Sequence, residues 1–227
     1  WTGEKWTSVI GWSLNKDPKN MLLFQLRSGE RINCTKEHIW PTTSGNKMAS
    51  EIKVGDVLLS TILPEPTIIA SPSGITDDIG YLLGMYLADG CLDKSNTYSF
   101  IISANNYSKL SWGDKLNEFS ERYSGSNSSY VPNIEGTKSI INTVSSKILR
   151  SIIEFYVGGD SSATKHLKPS VWQRSNKFLD NLLKGYLDGD GGYEESNKRY
   201  KLGFKLNRWL ERDLRTICAR LGYIIRL

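Results

Sequence analysis

Two stretches about a hundred residues apart end in a carboxylate at equivalent positions: Leu82-Leu83-Gly84-Met85-Tyr86-Leu87-Ala88-Asp89-Gly90 and Leu183-Lys184-Gly185-Tyr186-Leu187-Asp188-Gly189-Asp190-Gly191. Each is an apolar run with small residues four apart, Gly84/Ala88 and Gly185/Gly189. On a helix that spacing makes a flat stripe, where two backbones can approach closely. Gly90 and Gly191 are expected to let the chain leave each helix sharply. Asp89 and Asp190 would then lie side by side beneath the paired helix ends. Two hard oxygen ligands suit Mg²⁺, which takes one or two carboxylates and fills its shell with water and phosphate oxygens. Near a scissile phosphate such ions activate water and stabilise the leaving oxygen. One copy alone would be only a buried helix closed by an Asp-Gly turn; two copies in phase make a pair. The rival for Asp188-Gly189-Asp190-Gly191-Gly192 is a calcium loop, but the third alternate position, which needs Asp or Asn, holds Gly192.

The surrounding elements must bring these ends together. Residues 1–63 read as strands and turns. Leu22–Leu26 is an apolar strand, Ser28-Gly29-Glu30 a turn, Arg31–Thr35 the returning strand, and Ile52–Leu59 a turn at Gly55-Asp56 with a further strand. Residues 64–76, with Pro64, Pro66, Pro72 and Gly74, read as a linker. Beyond it Ile79, Leu82, Leu83, Tyr86 and Leu87 keep helical spacing, and Thr76-Asp77-Asp78 offers an N-cap with acidic first-turn residues. Strands follow at Tyr98–Ile102 and Ser139–Val144, with helices at Lys109–Tyr123 and Ser145–Tyr156. The pattern restarts at Ser175, an N-cap, with Phe178, Leu179, Leu182, Leu183 and Tyr186 on one helical face. A strand at Arg199–Leu206, a helix at Trp209–Leu221 and a strand opening at Tyr223 complete it. The second copy has far fewer residues after its Asp than the first, so by internal symmetry its last portion is expected to lie outside this chain.

The 227 residues suffice for one large or two modest cores. A 39% hydrophobic and 23% charged composition is that of a globular protein, and no run approaches a membrane span. The first residues lack the pattern of a signal peptide, so a cytoplasmic location is expected. Cys34, Cys91 and Cys218 form neither a zinc spacing nor a disulfide framework. A net charge of +5 is compatible with a polyanionic partner.

The twin stretches resemble the paired motifs of LAGLIDADG (dodecapeptide) homing endonucleases, in the single-chain, two-repeat form found within inteins. The resemblance implies an α+β fold with αββαββα-like halves, the first repeat spanning 77–174 and the second, incomplete, 175–227. It also implies two antiparallel sheets forming a saddle along the DNA major groove. The last acid of each motif is the family's metal ligand, which maps onto Asp89 and Asp190; Asp188 stands at a variable position and is a minor contributor. A nearby cation would polarise water or neutralise the transition state. The intein endonucleases carry such a Lys in a Lys-x-apolar-Pro stretch, and Lys165-His166-Leu167-Lys168-Pro169 occupies that place with one extra residue. Lys165 is the first choice and Lys168 the second.

Residues 1–63 resemble a partial Hint (protein-splicing) domain through Gly29–Trp40 followed by Lys53-Val54-Gly55-Asp56-Val57-Leu58. Thr35-x-x-His38 matches its second block, whose His helps activate the amide at the upstream splice junction. Trp1 stands where the family has a Cys or Ser nucleophile, and the closing His-Asn block is absent, so these residues are not expected to splice unaided.

DNA contacts are expected from the strands: Tyr98, Ser99, Ser103 and Asn105, the run Tyr130 to Thr143 including Lys138, and Lys198, Arg199, Lys201, Lys205 and Arg208. Such side chains bond phosphates or base edges in the wide groove. The sequence thus points to Mg²⁺-dependent hydrolysis of both strands of double-stranded DNA at a long asymmetric site by a monomer. A splicing-element fragment and a DNA-binding relative without cleavage are the alternatives.

Overall fold

The computed structural model describes residues 11, 21–27, 29, 31–59, 63–66, 72–104, 111–132, 139–204, 206–223 and 225. The chain divides into two units, residues 1–64 with 218–227, and residues 65–217. Together they form a mixed α+β structure of five α-helices and several small antiparallel sheets among the described residues.

In the first unit, alternation of apolar and polar residues builds a hairpin of β1 (Met21–Gln25) and β2 (Arg31–Thr35), with Phe24 opposite Ile32. A second hairpin, β3 (Ile39–Thr42) and β4 (Gly45–Met48), has no counterpart in the sequence reading. Trp40 joins the two hairpins, its ring near that of Phe24 and its indole N–H donating to Cys34 Sγ at 3.4 Å. The strand expected within Ile52–Leu59 is reduced to one bridge, Leu58 to Thr42. The turn there forms as expected: Gly55 has φ +103°, and Asp56 accepts from Lys53 N and pairs with Lys47.

The second unit opens with α1 (Ile79–Asp89). Nine of its eleven residues are buried, all but Tyr81 and Asp89, so it is a core helix rather than a surface one. The Thr76 cap does not form as expected. Asp78 is the N-cap without a side-chain bond to the helix, because Asp78 is held by Arg122 and Asp77 by the fully buried Arg174. Asp89 runs straight into β5 (Gly90–Leu92), which pairs with β6 (Ser99–Ala104). Helix α2 (Trp112–Arg122), β7 (Ser126–Tyr130), β8 (Ile140–Ser145) and α3 (Lys147–Tyr156) follow. The four strands form one antiparallel sheet in the order β5-β6-β8-β7. Phe100, Ile102, Ala104 and Val144 are buried on one face, and Tyr86 of α1 meets Phe100 edge-on at 6.2 Å. Strands β5 and β7 were missed in the sequence: one has three residues, and Ser-Asn-Ser-Ser-Tyr carries little β-forming character.

A short hairpin, β9 (Val157–Gly158) with β10 (His166–Leu167), leads through a 3₁₀ turn at Pro169–Gln173 to α4 (Asn176–Asp190). Ser175 caps α4 as expected, accepting from Phe178 N at 3.0 Å. Then come β11 (Gly191–Glu194), β12 (Arg199–Leu202) and α5 (Arg208–Leu221). Strand β12 stops four residues before the expected Leu206. The strand expected from Tyr223 falls largely outside the described residues. No described helix is long and apolar enough to cross a membrane, and all three cysteines are free thiols.

Candidate metal and DNA site

The small-residue stripes are the contact surface of α1 and α4. A Cβ on Gly84 would collide with the backbone oxygen of Leu182, and one on Gly185 with that of Tyr81. A Cβ on Gly189 would run into Ala88 Cβ. From Gly80 against Phe178, through Gly84 against Leu182 and Tyr186, to Ala88 against Gly189, the contacts advance along both helices in the same direction, so α1 and α4 run parallel and end together. Backbones this close leave no room for a Cβ at Gly84 or Gly185 unless the helices shift. Large residues on either side of the stripe, Leu82, Leu83, Leu182 and Tyr186, are buried, each leucine worth roughly 1.5–3 kcal/mol.

Both Asp residues therefore sit at one end of the pair. Asp89 is half-buried and Asp190 exposed. Asp89 Oδ2 lies 3.5 Å from where a Cβ on Gly189, the neighbour of Asp190, would stand. The glycines after them do not act as the sequence suggested. Gly90 has φ −91° and Gly191 φ −95°, extended backbone open to any residue. What they supply is space, since a Cβ would strike Tyr86 or Leu187. The ends of two parallel helices also turn their negative dipole poles toward the same place, which favours a cation.

Lys165 lies beneath this end. It is 2% exposed, and its Nζ donates to Tyr86 O at 2.8 Å and Leu87 O at 3.0 Å, the carbonyls of the last turn of α1. Burial pushes the ammonium down to about 8, opposed by the charges of Asp89 and Asp190, both near enough to act on it. The same two carboxylates, after burial, hold the Tyr186 phenol above its ordinary range. Lys168 points elsewhere: its Nζ donates to Glu154 O at 2.5 Å. Of the two lysines, only Lys165 is brought to the acidic pair.

Asp188 faces away along the helix pair, accepting from Tyr81 Oη at 2.5 Å, and so fastens α4 to α1. No group of three or more His, Cys, Asp or Glu residues that could hold a metal occurs among the described residues. The donor set at Asp89 and Asp190 is two hard carboxylates, which fits a cation that takes the rest of its shell from water or a substrate. Sequence reasoning missed Asn207 and Asp213, which hold the Lys165 segment from α5. Asn207 was readable as an N-cap before the Trp209 periodicity; nothing in the sequence links Asp213 to Lys165.

The strand residues are less uniform. Tyr98 and Tyr130 are exposed, and Lys147 Nζ stands 5.8 Å from the Tyr98 ring. Ser103 is half-buried on the sheet face away from Phe100 and Ile102. Ser99 and Asn142 are not available as expected: Ser99 is buried and bonded to Ser145 Oγ, and Asn142 is buried against Ser129 and Ile102 O. On the β11–β12 hairpin Arg199 and Lys201 share one face and both pair with Glu194, while Tyr193 and Tyr200 share the other, ring centroids 4.9 Å apart. Lys198 turns the hairpin at φ +47°, and Arg208 is exposed at the start of α5. Asn105, Lys138 and Lys205 lie outside the described residues. In the first unit Thr35 and His38 close a turn, His38 N donating to Thr35 O at 3.2 Å, and the exposed imidazole stands edge-on to Trp40.

No protein-family model matches the chain. The DNA-directed RNA polymerase subunit Rpo1C of Methanocaldococcus jannaschii is 23% identical over 229 residues. The match covers 85% of this chain, which spans about a quarter of that relative's length (26%). Among solved structures, I-DmoI in complex with DNA and Mn is similar at 15% identity, covering 64% of this chain and 78% of that one with a TM-score of 0.45. An I-DmoI variant bound to target DNA nicked in the coding strand is similar at 17% identity, covering 64% and 77% with a TM-score of 0.46.

Proposed function

We propose that this chain contains a site-specific DNA endonuclease of the LAGLIDADG type that hydrolyses phosphodiester bonds in both strands with a divalent cation, Mg²⁺ in the cell. The observation that carries this reading is the convergence of Asp89 and Asp190 at the shared end of two parallel helices, with the buried Lys165 beneath them. Asp89 and Asp190 hold the cation. A cation held by these two carboxylates would offset negative charge at the phosphate and lower the pKa of the attacking water. Lys165 remains mostly protonated at pH 7, and its charge, in a site partly closed to water, offsets the negative charge that builds on the phosphate. Two of its three N–H donors are committed to α1, which fixes the ammonium without consuming it.

Tyr98, Ser103, Tyr130, Lys198, Arg199, Lys201 and Arg208, with Asn105, Lys138 and Lys205, supply the DNA contacts. With two motifs in one chain, a monomer suffices for an asymmetric site. Residues 1–63 are read as part of a Hint domain, a reading supported by the Thr35–His38 turn, with 64–76 the linker to an endonuclease domain at 77–227. Incubation with a library of duplex sites and Mg²⁺ tests the reading. Cut products that disappear with a chelator are expected; capture of a site without cutting would instead support a DNA-binding protein.

A further inference from the structure

Lys165 is the last residue of the connection between β9 and β10, residues 159–165, and its buried position is not self-evident for a lysine. Its side chain reaches α1, but its backbone is held by a third element. Asn207 Nδ2 donates to Lys165 O at 2.7 Å and to Ser162 O at 3.0 Å. Two residues on, Leu167 N donates to Asp213 Oδ2 at 2.7 Å. Asn207 is 1% exposed and Asp213 5%. Asn207 also uses its other end: Oδ1 accepts from Trp209 N and Leu210 N, both at 3.1 Å, capping α5.

We infer that Asn207 and Asp213 are positioning residues that fix the Lys165 ammonium against the last turn of α1, making α5 the mount for the cation of the acidic site. The bonds flank Lys165 on both sides, so the segment cannot slide along or rotate about the strand without breaking one. A buried polar group deprived of its partner costs more than the bond itself contributes, so losing either contact favours withdrawal of the lysine into water. The role assigned to the mounted lysine in cleavage rests on the nuclease reading; the mounting does not.

The two requirements on Asn207 separate chemically. Asn207→Asp keeps a good cap for α5 but cannot donate to Lys165 O, and sets a carboxylate against two carbonyl oxygens. Acylation of the Lys165 amine in metal-free protein, followed by mass spectrometry, reads its exposure directly. N207D is expected to raise Lys165 labelling roughly tenfold or more, with surface Lys115 as internal standard and helix content retained. Asp213→Ala is the second variant, should N207D fail to fold, and is expected to do the same; Asp213→Asn, which still accepts from Leu167 N, should stay near the parent. In site cleavage the variants that release Lys165 should lose turnover, with DNA affinity held. Lys165 labelling at the parental rate in both folded N207D and D213A would overturn the inference, whereas absence of cleavage by the parent itself would count against the nuclease reading alone.

Discussion

Lys165 is the residue at which burial and charge meet. Its folded value of about 8 lies below the ordinary 10.5, because desolvation outweighs the attraction of Asp89 and Asp190. For a base held low, the unfolded chain keeps its proton over a range where the folded chain has released it. Between pH 8 and 10.5 rising pH therefore favours the fold; below pH 8 both states are protonated and the burial penalty stands in full. Denaturant unfolding of metal-free protein across that window should show a rise in stability of up to roughly 3 kcal/mol that Lys165→Met abolishes. Parallel curves for parent and variant would mean that the amine is not buried. The burial is not visible in Lys-His-Leu-Lys-Pro: the family pattern ranks Lys165 before Lys168, but the contacts that bury one ammonium against α1 and turn the other to Glu154 O are tertiary.

At the scale of elements, the decisive feature is the parallel pairing of α1 and α4. Gly185→Ala tests it through two opposed effects. Alanine favours a helix over glycine by about 1 kcal/mol, but its Cβ would meet the Tyr81 backbone oxygen, which cannot turn aside as a side chain can. Overpacking of this kind costs typically 1–3 kcal/mol or more. The net effect expected is a fall in melting temperature of a few degrees for a chain of this size. Gly192→Ala, which meets nothing within 4 Å, should leave it unchanged. These helices were legible because Ile79, Leu82, Leu83, Tyr86 and Leu87 in α1 and Phe178, Leu179, Leu182, Leu183 and Tyr186 in α4 keep helical spacing, and because Ser175 caps α4 where a cap was expected. β5, β7 and the β3–β4 hairpin were not, because register with a neighbouring strand, rather than their own composition, makes them strands. The Thr76 cap failed for a similar reason, since Arg122 and Arg174, distant in sequence, take the acids before α1.

The whole molecule adds an electrostatic requirement. A net charge of +5 is modest, and Arg199 and Lys201 are each tied to Glu194. If the β11–β12 hairpin meets the phosphates, DNA binding must weaken with salt in proportion to the cations engaged. Lys198→Asn, which keeps a residue tolerant of the left-handed turn, should reduce the slope of log K against log salt by about 1 and weaken binding alike across sequences. An unchanged slope would remove Lys198 from the interface. The two units divide between Pro64 and Glu65, beside the proline-bearing residues 64–76, and no local sequence pattern marks the grouping of 218–227 with the first unit.

Cleavage as proposed requires the two carboxylates to act as one metal-dependent centre. The most direct measurement compares the parent with Asp89→Asn and Asp190→Asn in Mg²⁺ on a duplex recovered from the site library, following cutting and binding together. Each change keeps the side chain's size and removes one anionic ligand. Loss of cutting in both, by about a hundredfold or more, with binding retained is the expected result; cutting at the parental rate by either variant would mean that the two carboxylates are not one metal centre.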